Sequence, residues 1–411
     1  MRTDIVIIGA GQAGLTAATT LRGRGWPGAI HLVGDEDRDP YQRPPLSKGY
    51  LHGSETRDDL LLCAPEALVR DGITFHRGRT ATRIDRASQT VQLDSGASLE
   101  YEALILATGS TPRRLTLPGS DLAGIHSVRT VDDCDALRAD LARGGDTVFI
   151  GGGFLNLEVA IEAIGHGAVT VLEMAPQVLG RVLSREAAAA LAEYHAQLGV
   201  RITCGAQIVG LTAAGEEEPG VPGADGAAPR VAASPRRVAG VQLADGSVVP
   251  AERVVVSIGA EPRDELARAA GLETGGGIVV DASLRTSDDR IFAIGDCAQF
   301  PSAHAGAQMR VESVQNATDH ARFVAAQLMG DAAGSYRDVP WFWSTQGERR
   351  LQIAGIAHPG DAARVVLTEE GGKLVVERIR DGEVVAVETI NAPGPHMRAR
   401  RALAVAATPV A

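Results

Sequence analysis

Aromatic residues make up only 4% of this 411-residue chain, whereas glycine alone contributes 48 positions. With few large rings available, contacts between helices and sheets must be close and lined by small side chains. Cysteine is scarcer still, at Cys63, Cys134, Cys204 and Cys297. None stands in a CxxC or CxxxxC pair, which argues against a zinc site, an iron–sulfur cluster and a redox dithiol of the usual spacing. No bound metal is expected. Isolated thiols fit a reducing compartment. No apolar run reaches the ~20 residues of a membrane-spanning helix. The chain opens directly on the strand-like DIVIIGAG, read as the absence of a signal peptide, and a cytoplasmic protein is expected. Positive charge is in deficit, with a net charge of −11, which argues against generic nucleic-acid binding. Hydrophobic (45%) and charged (22%) fractions are those of a globular protein, and the length suffices for two or three domains.

The dominant internal feature is a repeat. The β-branched run at 4–9 ends in glycine, a helical pattern follows to about Leu21, and AIHLVG reads as a second strand; together they form a βαβ unit. A second unit begins at Thr147, with TVFIGGG, a helix to about Gly165 and the strand AVTVLEMA. Strands over 73–108 end in the turn at Thr108 and Gly109, and a buried strand from Val254 ends in a matching turn at Gly259. Pro112 and Pro118 mark a crossover. Residues 213–236, rich in Gly, Ala, Pro and Glu, read as a floppy hairpin tip. IFAIGD reads as a strand, 312–329 as a helix, and the remainder as an α+β segment. The expected class is α/β, with two Rossmann-like dinucleotide-binding domains and a C-terminal α+β interface domain. Its divisions fall at 1–113, 114–246, 247–330 and 331–411, with the third segment returning to the first domain.

Each glycine turn is placed to hold a dinucleotide. Gly9, Gly11 and Gly14 follow a strand and open a helix. The first allows the tight turn, the second lets backbone approach a pyrophosphate, and the third allows close packing of helix on strand. Asp35 and Glu36 close the next strand about 20 residues on, where a ribose hydroxyl partner belongs. The second turn has Gly151, Gly152 and Gly153, with Asn156 where the third glycine belongs. An asparagine there is expected to crowd the helix against the strand. Glu173 lies about 20 residues past Gly153. Its carboxylate suits a free 2′-hydroxyl and repels a 2′-phosphate, favouring NADH over NADPH, while Arg181 keeps NADPH as the alternative.

Longer motifs carry a family resemblance. P-Y-Q-R-P-P-L-S-K (40–48), G-G-G-F-L-N-L-E-V-A, R-T-S-D-D-R-I-F-A-I-G-D-C-A, R-V-E-S-V-Q-N-A and P-W-F-W-S-T-Q together resemble the NADH-dependent ferredoxin reductases that serve bacterial oxygenases. The resemblance spans essentially the whole chain, in the family's order. It implies the glutathione reductase fold, with FAD on the first domain and NAD on the second. It further implies that Ala13, Asp35, Lys48, Ala81, Arg129, Asp296 and Val314 are FAD contacts, and Arg43, Thr108, Gly109 and Gly259 complete the expected cofactor-binding residues. Asp296 would bond the ribityl chain. The helix opened by Val314 would direct its positive end at the reduced ring. Lys48 and Glu158 become the candidate catalytic pair, a cation at the flavin and a carboxylate that meets it from the NAD side. Trp343 has two readings, an aromatic facing the flavin edge and the incoming iron–sulfur protein, or plain interface core.

The implied activity takes hydride from NADH and passes single electrons to a small ferredoxin, which in turn feeds a haem monooxygenase or a ring-hydroxylating dioxygenase. The protein would be a monomer or homodimer, with no nucleic-acid or membrane partner. Arg113, Arg114, Arg310, Arg322, Arg349 and Arg350 read either as a docking patch for an acidic ferredoxin or as scattered solvated arginines. Four positions depart from the family pattern. Asn156 replaces Gly and Arg263 replaces Asn, both bearing on NADH. Thr345 replaces Asp and Gly347 an aromatic residue, both bearing on the partner. The two changes beside Trp343 motivate a competing reading, a stand-alone flavin oxidase or reductase acting on a small molecule; a redox-sensing flavoprotein with little turnover is the alternative from another class.

Overall fold

Short, largely apolar strands that are buried on both faces pair in parallel sheets covered by helices. Ile5–Ile8, Ala103–Leu106, Thr147–Ile150 and Arg253–Val256 are buried throughout. In the computed structural model, which describes residues 4–214, 236–331, 334–369 and 371–406, these strands nucleate two separate sheets. The first runs Ile291–Ala293, Ala103–Leu106, Ile5–Ile8, Ile30–Gly34, Ile73–Arg77, all parallel. The second runs Arg201–Cys204, Val169–Glu173, Thr147–Ile150, Arg253–Val256, Ile125–His126, again all parallel. The predicted hairpin tip at 213–236 lies almost wholly outside the described residues; the antiparallel strands Ile208–Ala213 and Val238–Leu243 lead to and from it.

One expected division needs correction. The sequence reading returns the chain to the first domain at residue 247, yet Arg253–Val256 pairs residue for residue with Thr147–Ile150. A run that is apolar on both faces is as suitable for one parallel sheet as for the other, so its sequence cannot say which it joins. The actual return follows at a two-stranded crossing, Ser110–Pro112 against Ala260–Pro262.

The third layer is a five-stranded antiparallel sheet in the order Trp341–Gln346, Arg349–Gly355, Glu383–Ile390, Lys373–Arg380, Ala362–Glu369, followed by the helix Pro393–Ala406. This sheet closes on the second domain through the helix Arg185–Gln197. At its N-terminus, Ser184 caps the helix by accepting from Ala187 N. The Ser184 hydroxyl and N–H both donate to Glu388, at 2.5 and 2.9 Å. Arg378 completes the site with a 2.8 Å ion pair to Glu388, both side chains being almost fully buried. At the other end, the Tyr194 hydroxyl accepts from Glu348 N and the guanidinium of Arg349 lies over its ring. The helix is therefore bonded to the third layer at both ends.

Removing one member of a buried ion pair strands the other. Glu388→Ala should lower unfolding stability by about 3–5 kcal/mol, read as a fall in the urea midpoint. A much smaller shift would mean that water reaches Arg378 and that the domain contact is open.

Candidate functional site

At the first glycine turn each glycine has a separate steric reason. Gly9 has φ +110°, and a side chain there would begin 2.1 Å from Ala107 O. At Gly14 it would begin 1.8 Å from Gly9 O, so only glycine lets the helix lie this close to the turn. Gly11 faces open space within 4 Å. It occupies the N-cap of the helix Gln12–Gly23 with no side-chain cap, which leaves backbone N–H groups directed outward for an anion. Ala13 follows, buried. The turn thus fits a pyrophosphate.

From the turn a line of charged groups runs across the first domain. Asp35 Oδ2 meets Arg263 Nη2 at 2.8 Å, with both side chains about two-fifths exposed. Glu36 takes the Tyr41 hydroxyl at 2.5 Å and Arg43 at 2.6 Å. Arg43 also donates to Arg129 O at 2.6 Å. Arg129 Nη2 stands 3.3 Å from Asp296 and 3.4 Å from where a side chain at Gly109 would begin. Burial pulls the Arg129 guanidinium below its ordinary value, an effect that Asp296 only partly offsets. A desolvated cation with one long ion pair has capacity for a further anion. Asp296 is also reached by Ser110 Oγ at 3.1 Å. Thr108 donates to Arg263 O at 2.6 Å. Ala81 begins the strand Ala81–Asp85, packed against the core of the first domain.

The second turn repeats the plan with one change. Gly151 has φ +99°, with Ser257 O only 2.3 Å from a would-be side chain, and Gly153, the uncapped N-cap of the helix Phe154–Ala163, faces open space. Asn156 does not simply crowd the packing. It is fully buried, and its Nδ2 donates to Ile150 O at 2.9 Å and Gly151 O at 2.8 Å. It ties helix to turn with hydrogen bonds where a third glycine would do so by close contact. Glu173 accepts from Gly152 N at 2.6 Å and Ala175 N at 2.8 Å, one bond per oxygen. Arg181 extends toward Gly259, its Nη2 3.9 Å from a would-be side chain there.

Between the first domain and the third layer lies a cavity of about 250 Å³ lined by Gln12, Gln42, Pro44, Lys48, Glu55, Val314, Trp343 and Thr345, among others. Lys48 arrives on the loop after the short 3₁₀ turn Pro44–Ser47. Val314 opens the helix Val314–Leu328, capped by Ser313. Trp343 comes from the third layer and faces this cavity, with Trp341 5.5 Å from its ring centre. Beneath it, Lys48 Nζ and Glu158 Oε2 are 2.5 Å apart, Glu158 being 7% exposed. A larger open depression of about 540 Å³ beside Thr82–Arg86 holds none of the candidate residues, so size alone does not mark the site.

Sequence reasoning needs amendment at three further points. Arg263 does not face the second glycine turn but Asp35 at the first, so its consequence falls on that dinucleotide. Arg310 is no free docking charge: its side chain is 17% exposed and donates to the carbonyls of Gly276 and Asp296. Arg349 is engaged with Tyr194. The residues not foreseen are Ser47, Glu55, His195, Ser344, Gln346 and Arg400. Serine and glutamine at ordinary spacing carry no sequence signal. Arg400, whose guanidinium lies 4.4 Å over the ring of Trp341, comes from the last helix. Among the described residues the four thiols are free and no three metal-ligating side chains converge. No described helix is long and apolar enough to cross a membrane.

Comparison with known proteins agrees with this architecture. Residues 3–321 match the family model of the pyridine nucleotide-disulphide oxidoreductases, and residues 341–411 match a reductase C-terminal domain. Rhodocoxin reductase of Rhodococcus erythropolis is 42% identical over 402 residues, covering 98% of this chain and 89% of that protein. The crystal structure of the ferredoxin reductase for the CYP199A2 system from Rhodopseudomonas palustris superposes with a TM-score of 0.91 at 37% identity, covering 99% of this chain and 96% of that one. The covalent putidaredoxin reductase–putidaredoxin complex gives 0.90 at 35%, covering 98% and 93%.

One buried titratable group supports the Asp296 turn. His320 is fully buried, its Nδ1 accepts from Gly295 N at 3.2 Å, and its ring stands edge-on to Phe300 and Tyr336. Burial pushes its pKa down to about 3. The unfolded chain therefore takes up this proton first as pH falls. The contribution is complete above about 6.5 and is lost as pH drops from there toward 3. Between pH 6.5 and 5 the wild type should lose about 2 kcal/mol more than His320→Phe, measured by denaturant titration at each pH. Parallel pH dependences would mean that the ring is hydrated.

Proposed function

The chain belongs to the pyridine nucleotide-disulphide oxidoreductases, and from that premise we propose that it is an FAD-dependent reductase that takes hydride from NADH and delivers single electrons to a small iron–sulfur ferredoxin serving an oxygenase. The enzyme is an oxidoreductase that works with a flavin and a nicotinamide cofactor. The observation that carries the finer reading is the convergence of Lys48, Val314 and Trp343, each from a different segment, on one cavity beside Glu158. A flavin bound there would supply the conversion of a two-electron donor into one-electron steps.

The chain's own groups have distinct tasks. Gly11 and the N-terminus of Gln12–Gly23 would take the pyrophosphate of FAD, with Arg129 nearby as a partly unsatisfied cation. Asp35 has one oxygen bound to Arg263 and a second free for a ribose hydroxyl. Lys48 keeps a positive charge at the cavity where negative charge builds on the reduced ring. Val314, at the start of a 15-residue helix, adds the positive end of its dipole. Trp343 closes the outer side of the cavity and shields it from water.

For the nicotinamide cofactor, Gly151 and Gly153 form the cradle and Glu173 takes the ribose. Glu173, held by two backbone N–H groups, stays an acceptor. Arg181 points instead toward Gly259, beyond the strand on the opposite side of Thr147–Ile150, about 10 Å of sheet away. It is badly placed to neutralise a 2′-phosphate beside Glu173, and this supports NADH. Electron delivery to an acidic ferredoxin fits the face near Trp341 and Trp343, where Arg400 adds positive charge.

Stopped-flow mixing under anaerobic conditions checks the reading. NADH should reduce the flavin with a rate constant over affinity at least about tenfold above NADPH, and a ferredoxin should then be reduced in one-electron steps. Turnover of oxygen or a small molecule with no carrier reduced would refute it. Lys48→Met should lower the limiting reduction rate by about tenfold or more, ~1.4 kcal/mol of barrier, with FAD content unchanged. An unaltered rate would remove Lys48 from the mechanism.

A further inference from the structure

Glu158 is the meeting point of all three layers. Its Oε2 accepts from Lys48 Nζ at 2.5 Å and from Ser47 Oγ at 2.6 Å, both from the first domain. Its Oε1 accepts from Ser344 Oγ at 2.7 Å, from the third layer. Behind Ser344 the bonding continues inward: Gln346 Nε2 lies 3.2 Å from Ser344 Oγ, and His195 Nε2 lies 2.8 Å from Gln346 Oε1. Ser344, Gln346 and His195 are all fully buried.

The direction of this chain is fixed by Glu158. An ionised carboxylate has no proton to give, so the Ser344 hydroxyl must point its hydrogen at Oε1. Ser344 is then left with lone pairs only, which the amide of Gln346 fills from its Nε2. That orientation presents Gln346 Oε1, an acceptor, to His195, which must carry its proton on Nε2. Burial holds the imidazole below its ordinary pKa, and its Nδ1 has no partner among the described residues, so the ring is the neutral Nε2–H tautomer, whose single N–H meets the Gln346 oxygen. Each donor from His195 onward is directed at the carboxylate.

We propose that Ser344 is a positioning residue for Lys48: oriented by Gln346 and His195, it fixes the rotation of Glu158 and thereby holds the Lys48 ammonium at the cavity. The proposal rests on the assignment of Lys48 to the flavin reaction. It makes the third layer part of the reductive half-reaction, in addition to any partner role. Lysine itself points the same way. The chain has two lysines, Lys48 and Lys373, among 40 basic residues. A compact ammonium that one carboxylate oxygen can aim is retained at 48 where arginine serves nearly everywhere else. All three hydrogens of Lys48 are used, on Glu158, Ser47 Oγ and Pro44 O, and loss of the Glu158 alignment removes the shortest of the three and leaves only the two long ones.

Having two lysines makes the test direct. The FAD-loaded full chain is treated with limiting acetic anhydride, and Lys48 acetylation is measured by peptide mass spectrometry against the exposed Lys373 as internal reference. Ser344→Ala should raise the Lys48-to-Lys373 ratio at least about threefold and lower the limiting rate of flavin reduction by NADH several-fold, with NADH affinity unchanged. His195→Leu, which never touches Glu158, should do the same. His195→Gln keeps an N–H donor and should return both readouts to wild type. A merely structural role would spoil affinity or stability without rescue by the amide. If Ser344→Ala and His195→Leu, folded by thermal melting, leave ratio and rate at wild-type values, the proposal is overturned. The underlying reading fails separately. Should Lys48→Met leave reduction unaltered while Ser344→Ala still raises the acetylation ratio, the hydrogen-bond chain stands and the role of Lys48 at the flavin falls.

Discussion

A buried carboxylate imposes more order on its surroundings than any apolar contact can, because it only accepts and every lone pair it brings out of water must find a hydrogen. Glu158 meets that demand with groups from three separate segments of the chain: Lys48 and Ser47, Ser344, and through Gln346 the imidazole of His195. Packing alone would let the three layers slide by small amounts. Directed bonds to one carboxylate do not. The cavity that joins Lys48, Val314 and Trp343 owes its shape to this alignment. Another buried carboxylate, Glu388, repeats the principle at the far end of the Arg185–Gln197 helix.

The two glycine turns show one design answered by two kinds of chemistry. At the first, Gly14 lets the helix approach until no side-chain atom would fit. At the second, Asn156 fills the corresponding place and replaces close contact with two hydrogen bonds to the turn carbonyls. Its Oδ1 is left without a partner among the described residues, a cost the two donors must offset. Both turns keep their middle position open to the outside, and that openness is what a pyrophosphate requires. The departure from glycine therefore changes how the helix is attached and leaves the opening of the turn unchanged. Arg263 is likewise a departure with a local answer, an ion pair to Asp35, the acid that follows the first turn.

How much could be read from sequence depended on whether a residue's role is local. The glycine turns, the acids Asp35 and Glu173, and the helix over 312–329 follow from spacing along one βαβ unit or one helix. The motif run from 40 to 48 and the PWFWSTQ segment mark Lys48 and Trp343 through family likeness. Ser344 lies inside that same segment, yet nothing in its spacing singles it out, because a serine becomes informative only once a carboxylate 186 positions earlier is seen to face it. Arg310 illustrates the converse: charge in a sequence reads as available, and a mostly buried side chain bonded to carbonyls is not.

The sequence by itself determined the elements: two glycine turns, the acid that follows each, and the α/β class, all of which rest on periodicity and on steric needs within a few residues. Only the tertiary structure decided which sheet receives Arg253–Val256, which turn Arg263 serves, and which groups meet Glu158. Those outcomes depend on contacts between segments over a hundred residues apart. A strand buried on both faces, a long flexible cation and a hydroxyl each fit several surroundings equally well until the fold supplies one.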